Sequence, residues 1–354
     1  MHSQHTSPDH HASSSFPHFI ALTFLFIIVY TSLEPFRGWS PPEHDVLKIF
    51  FEGLTAPRWF SFDSLINICV YVPLGFGLAG MLKSAGRALL LCSFVSLSLE
   101  LTQSLLPTRH PSALDWLLNT AGALFGIWCF AKSQHWRWIG ALTYKFRKAW
   151  IPGVRGDFGI AVLLVFLIAH LNPGLSPFSS TYFLPASVTI EPGLAFLQAT
   201  HTGLNVIAVG FFADLLARTR RDGGVMLLAV LLIATLSKTL LAAALLRPGL
   251  WGLWLSPPVT IGIALGAVGL LAFFWVPAAQ KRVLCNISVI IALLLPALAP
   301  DWALANAPVR AFEWNYGHLL NFNELSQTLL RLWPLLVSVY LLTTAGNPYQ
   351  DRKK

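Results

Sequence analysis

The chain has 354 residues, of which 55% are hydrophobic and 11% charged, with a net charge of +8 and a mean hydropathy of +0.61. An ordinary soluble domain carries about 25% charged residues, so the composition excludes a soluble enzyme, a disordered chain and a nucleic-acid binder. The Lys and Arg residues flank apolar runs, which is how membrane proteins place positive charge.

Residues 1–15 hold His2, His5, His10 and His11, with His18 just beyond, and no Lys or Arg. No A-x-A-like site follows the first apolar run, so the segment reads as a disordered, His-rich cytoplasmic tail rather than a signal peptide. A helix needs roughly 20 mostly apolar residues to cross the hydrocarbon core. Ten stretches come close: 16–33, 62–82, 88–106, 113–131, 158–171, 199–217, 225–246, 258–276, 283–300 and 327–345. The second and the last contain Pro73 and Pro334, which membrane helices tolerate when neighbours satisfy the freed carbonyl. Between spans one and two, residues 37–60 set Phe50, Phe51, Trp59 and Phe60 among charges and read as an interfacial helix. Residues 132–157 form a basic linker. Residues 301–325 carry Trp302, Trp314, Tyr316 and His318, an interfacial aromatic belt or a lid over a site below. Cys69, Cys92, Cys129 and Cys285 all lie in apolar spans and form no C-x-x-C pair, so they read as small buried hydrophobes, with no disulfide, zinc or redox role.

Orientation follows from the loops. The side that holds both termini collects sixteen Lys and Arg, Lys281 and Arg282 among them, against six on the other side. That excess puts both termini in the cytoplasm.

The sequence also repeats at an offset of 138 residues. Glu34-Pro35 matches Asn172-Pro173, Asn67 matches Asn205, Glu100 matches Lys238 and Arg109 matches Arg247. After a shift of two residues, Gly122-x-x-x-Gly126 matches Gly262-x-x-x-Gly266. Such glycine pairs let helices approach closely. The expected fold is an all-α polytopic membrane protein of about ten transmembrane helices. It comprises two parallel four-helix repeats, 16–131 and a degenerate 158–276, plus a C-terminal helix pair within 277–354.

Ionisable residues inside a bilayer are costly, so each needs a reason. In the first repeat Asp63 and Asn67 share one helical face, as do Asp115 and Asn119. Glu100 and Gln103 sit near the end of span three, and Arg109 lies in the short loop that follows. All seven fall toward the outer face and form one candidate polar site, with Arg109 expected within salt-bridge reach of Glu100 or Asp115. No metal or cofactor motif accompanies them.

Glu100-x-x-Gln103, Pro107-x-Arg109 and Asp115-x-x-x-Asn119-x-x-Gly122-x-x-x-Gly126 together resemble the signature of the VanZ-like membrane family. Asp63-x-x-x-Asn67 followed by Pro73-Leu74-Gly75 resembles it too, so the likeness covers roughly residues 20–131. That family is named for a glycopeptide-resistance protein that lowers sensitivity to teicoplanin. The resemblance implies a cell-envelope context and no particular reaction. Three readings stand. The first is a non-enzymatic envelope protein whose outward pocket meets a membrane lipid, a lipid-linked precursor or a partner protein. The second is a membrane enzyme acting on a lipid-linked substrate, with Glu100 and Asp115 as acid and base. The third is a transporter.

Overall fold

The computed structural model describes residues 15–42, 44–52, 54–55, 62–133, 135, 147–179, 192–246, 255–298 and 317–344. The His-rich residues 1–14, residues 134 and 136–146 of the basic linker and the aromatic residues 301–316 lie outside the described residues. Described helices are α1 (Phe16–Leu33), α2 (Val46–Glu52), α3 (Phe62–Leu82), α4 (Ala85–Gln103), α5 (Ala113–Ser133), α6 (Val154–His170), α7 (Pro192–Leu216), α8 (Arg220–Leu245), α9 (Pro257–Ala272), α10 (Ala278–Leu298) and α11 (Gly317–Thr343). The chain is an all-α, multi-pass membrane protein. Ten of these helices fall on the ten apolar stretches of the sequence, and α2 falls in the segment read as interfacial.

Among the described residues, eight helices are long and apolar enough to cross a membrane, and α9 is a shorter apolar one. The other short member is α6, whose 17 residues reach only about 25 Å. Its sides are covered by protein, from Ala161 and Val162 round to Phe166 and Ala169, so its length answers to packing rather than to bilayer thickness. The bundle is inverted relative to a soluble one. On α8 the stripe Val225, Leu228, Leu232, Leu236 and Leu240 is 59–70% exposed, while Gly223, Ala234, Lys238 and Ala242 face inward. An apolar band of that kind requires lipid.

The first unit packs α3 between α1 and α5, with α4 closing the side. Glycines make this possible. A side chain at Gly122 would strike the Ile68 carbonyl, one at Gly126 the Val72 carbonyl, and one at Gly75 the Ala123 carbonyl. Because both members of each contact advance together along the chain, α3 and α5 run parallel. The core around them holds Ile28, Leu74, Cys92, Ala123 and Ile127.

In the second unit the α3–α5 pairing has a counterpart in α7 and α9, where Gly262 meets the Ala199 carbonyl and Gly266 lies against Val206 and Gly203. The glycine contact supports a related pairing and changes its register. Gly262 follows Gly122 by 140 residues, yet Ala199 follows Ile68 by 131. In this packing Asn67 corresponds to Gln198, two helical turns before Asn205. Around that pair the two units diverge. α10 packs on α7, and α11 lies along α6 and α10 in a core of Phe166, Phe211, Phe212, Trp333 and Tyr340. A third cluster joins the units, with Ile27 of α1 against Val165 and Ala169 of α6 and Leu325 and Leu329 of α11. Tyr30 and Thr328 share a 2.9 Å hydrogen bond there, and the Ser15 amide donates to Asp157 at 2.8 Å.

Two assignments made from local sequence change. Lys281 is no loop residue: it lies in α10, 3% exposed, with its ammonium 2.8 Å from Asp214 of α7 and 4.8 Å above the Phe274 ring. Gly223 leaves the room for the Asp214 carboxylate, since a side chain there would overlap Asp214 Oδ1. Cys92 and Cys285 are buried as expected, but Cys69 is exposed on the outside of α3. Helical rotation, which mean hydropathy does not encode, decides which cysteines face the lipid.

Candidate functional site

The site forms where α1, α3, α4 and α5 end or begin on one side of the first unit. α4 stops at Gln103, and the turn that follows is held by Leu105 N–H to Thr102, Leu106 N–H to Gln103 and Arg109 N–H to Leu106. Pro107 and Pro111 bracket the turn and cannot extend a helix into it. α5 then starts with a capping sequence, Ser112-Ala-Leu-Asp115. The Ser112 hydroxyl accepts the Asp115 N–H at 3.3 Å, and the Ser112 carbonyl accepts the Trp116 N–H.

In a usual capping box the acidic residue three positions on would accept the N–H of the capping serine. Here Glu100 of α4 does so instead, its Oε2 accepting Ser112 N–H at 2.8 Å. That exchange releases Asp115 to face α3, where its Oδ1 accepts from the Asn67 amide at 3.1 Å. Farther down, Asn119 donates to the Ser96 hydroxyl at 3.0 Å, and the Trp116 indole N–H donates to Ser93, so α4 and α5 are joined by polar contacts over a full turn. On the α1 side, Gln103 donates to the Ser32 carbonyl at 3.0 Å and Arg109 Nη2 to the Thr31 carbonyl at 3.2 Å. Both carbonyls belong to the last turn of α1, whose terminal acceptors lack helical partners.

Asn67, Glu100, Gln103, Arg109, Asp115 and Asn119 all line one cavity of about 290 Å³, together with Tyr71 and His110. Six of the seven sequence candidates therefore share one volume. The seventh, Asp63, starts α3, and its side chain lies outside the described residues. Arg109 and His110 also line a second, outer groove of about 170 Å³ bounded by Ser40, His44 and Ile49, so they stand at the rim between the two. Over that rim lies α2, begun by Asp45, whose carboxylate accepts the Leu47 N–H. Phe50 is buried beside Trp116, while Leu47 and Phe51 stay exposed, the placement expected of a helix resting at the membrane interface.

The Glu100 carboxylate, expected beside Arg109, accepts the Ser112 N–H. An N–H at a helix start, with the helix dipole behind it, suits a carboxylate in place of a cation. Sequence reading missed Tyr71 and His110, and it missed the Asp214–Lys281 pair in the other unit. His110 adjoins Arg109 in the turn, which was the available signal. The lone Asp214 in an apolar stretch was the signal for the pair. Among the described residues no group of three or more His, Cys, Asp or Glu side chains is placed to hold a metal ion.

Residues 6–136 match the VanZ/LLP1 family model. The matched stretch contains α1 to α5 and every residue of the cavity, and it ends before α6. This first unit is thus similar to the VanZ/LLP1 family. No curated protein and no solved structure matches the chain.

Proposed function

We propose that this protein sits in the cytoplasmic membrane with both termini inside, and that its VanZ-type unit holds the phosphate-bearing headgroup of an envelope lipid or lipid-linked cell-wall precursor at the outer face. The observation that carries the reading is the convergence of six polar side chains from three helices and a turn on one cavity at one end of an apolar bundle. Polar groups at membrane depth cost free energy unless they are used or satisfied. Arg109 at the rim offers a planar fork suited to phosphate or carboxylate. The exposed Leu47 and Phe51 of α2 would hold that rim at headgroup level. Orientation rests on the loop bias of Lys and Arg, which persists once the buried Lys281 is removed from the tally. A role in glycopeptide resistance fits such a site, because binding at the outer leaflet can alter what an envelope-directed antibiotic meets.

Binding is favoured over catalysis because both carboxylates are engaged, Glu100 by Ser112 and Asp115 by Asn67. The test is native mass spectrometry of the purified protein with phosphatidylglycerol and phosphatidylethanolamine in detergent micelles. Loss of a charge-assisted bidentate contact is worth about 1.5–3 kcal/mol, so Arg109→Gln should bind roughly 10–100-fold more weakly. Arg109→Lys should fold normally and recover little. Undiminished lipid binding by Arg109→Gln would overturn the proposal. Reporter fusions after residues 40 and 150 should read outside and inside respectively.

A further inference from the structure

We infer that α11 carries a second lipid site on its membrane-facing side, where Arg331 holds the phosphate of a phospholipid drawn below headgroup level. This site belongs to the second unit and stands apart from the cavity. Glu100, Asp214, Lys238 and Lys281, charged residues of other helices, all face inward and are buried. Ionisable residues of membrane-spanning helices almost always do. Arg331 does not. It is exposed on α11, on the side of the helix that also exposes Leu335, Val339 and Leu342. Among the described residues its guanidinium meets Gln327 Oε1 alone, at a marginal 3.5 Å. A guanidinium has five N–H donors, so most of them are left for the membrane to meet.

Contacts between helices fix its depth. Phe158 of α6 touches both Phe19 of α1 and Tyr340 of α11, with ring centroids 5.5 and 6.1 Å apart. At the other end Tyr30 of α1 bonds Thr328 of α11. The two helices are therefore antiparallel and level at these pairs. Tyr30 lies three residues before Leu33, the last residue of α1, and Arg331 lies three residues past Thr328. Arg331 is thus about 9 Å below the cavity-side end of α1. The 18 residues of α1 span about 27 Å, close to the thickness of the hydrocarbon layer, so Arg331 starts inside that layer. Its apolar stem lets the guanidinium climb toward the headgroups, and a phosphate moving inward closes the remaining distance. Glu324 shares this face two turns nearer the headgroups, about 10 Å away along the axis. It is too far to neutralise Arg331 by contact. A phosphate fits the planar fork with two hydrogen bonds. A second copy does not fit, because a twofold axis along the membrane normal would set Arg331 beside Arg331 at one depth.

The test is native mass spectrometry of the intact protein with phosphatidylglycerol, using diacylglycerol of the same chains as the phosphate-free control. The wild-type protein should hold two tight phosphatidylglycerol molecules, one at the cavity and one at Arg331, and no diacylglycerol. Arg331→Gln should hold one, the other weakened at least about tenfold, which is what one charge-assisted contact is worth. Arg109→Gln should keep the Arg331 lipid, and the double variant should hold none. Arg331→Leu matches its exposed neighbours, so it should lose the lipid and unfold no more easily than wild type. Arg331→Gln that binds phosphatidylglycerol as wild type does would overturn this inference, whatever the cavity holds. A single lipid that Arg331→Gln loses and Arg109→Gln keeps would overturn the cavity reading and leave this one standing. Easier unfolding of Arg331→Leu would mean that protein holds the guanidinium, and that too overturns the inference. So would a wild-type dimer that Arg331→Gln splits, which assigns Arg331 to a second copy, or displacement of the lipid by inorganic phosphate, which assigns it to a soluble anion.

Discussion

Gly126→Ala should damage the first unit far more than its chemistry suggests. The added methyl would overlap the Val72 carbonyl oxygen and press on the Phe76 amide nitrogen at 2.9 Å. Neither group can turn aside, because both lie in the hydrogen-bonded backbone of α3. The two helices must then separate by about 1 Å to restore ordinary van der Waals contact. Overpacking of this kind costs about 1–3 kcal/mol. The same separation stretches the 3.1 Å Asn67–Asp115 hydrogen bond past its useful length of roughly 3.2 Å, adding about 1 kcal/mol. The expected loss is about 2–4 kcal/mol, and Gly122→Ala, which meets Ile68 in the same way, should cost a similar amount. Unfolding in mixed micelles followed by tryptophan fluorescence gives the comparison. Gly86→Ala is the control, since nothing lies within 4 Å of a side chain there, and it should be neutral or stabilising by up to about 1 kcal/mol. If Gly126→Ala unfolds within about 0.5 kcal/mol of wild type, the ordinary range for a surface substitution, the close-packed α3–α5 seam is refuted.

Two further outcomes follow from the charges. Breaking the buried Asp214–Lys281 pair by Lys281→Met should cost about 3–5 kcal/mol, whereas Asp214→Leu combined with Lys281→Met should recover most of it. A double variant no better than the single one would refute the pairing. Glu34, at the end of α1, has its carboxyl raised above the usual carboxylate range by burial and then by the Glu324 carboxylate, with Arg109 and Arg37 opposing. The folded state then holds this proton more tightly than the unfolded chain. Its stabilising contribution is full below the ordinary Glu value of about 4.3 and is lost as pH rises through the raised value. Melting temperatures of wild type and Glu34→Gln should diverge as pH rises from about 4.3, with the variant the more stable near neutrality. Parallel curves would contradict this account.

The sequence by itself determined the membrane class, the ten apolar segments, the glycines that bring α3 to α5, and the end of the first unit at which six polar side chains meet. Those are properties of local spacing. Apolar length sets where a helix runs, a four-residue interval puts Asp115 and Asn119 on one face, and a turn bounded by Pro107 and Pro111 holds α4 beside α5. Partner choice was decided only by the tertiary structure. Glu100 caps α5, Asp115 accepts from Asn67, and Arg109 reaches a carbonyl of α1. Lys281 finds Asp214 across 67 residues of sequence. The second unit shifts its register by two turns although its glycines are spaced like those of the first. Each outcome depends on how helices rotate and slide against one another, and the packing of the whole bundle sets that rotation.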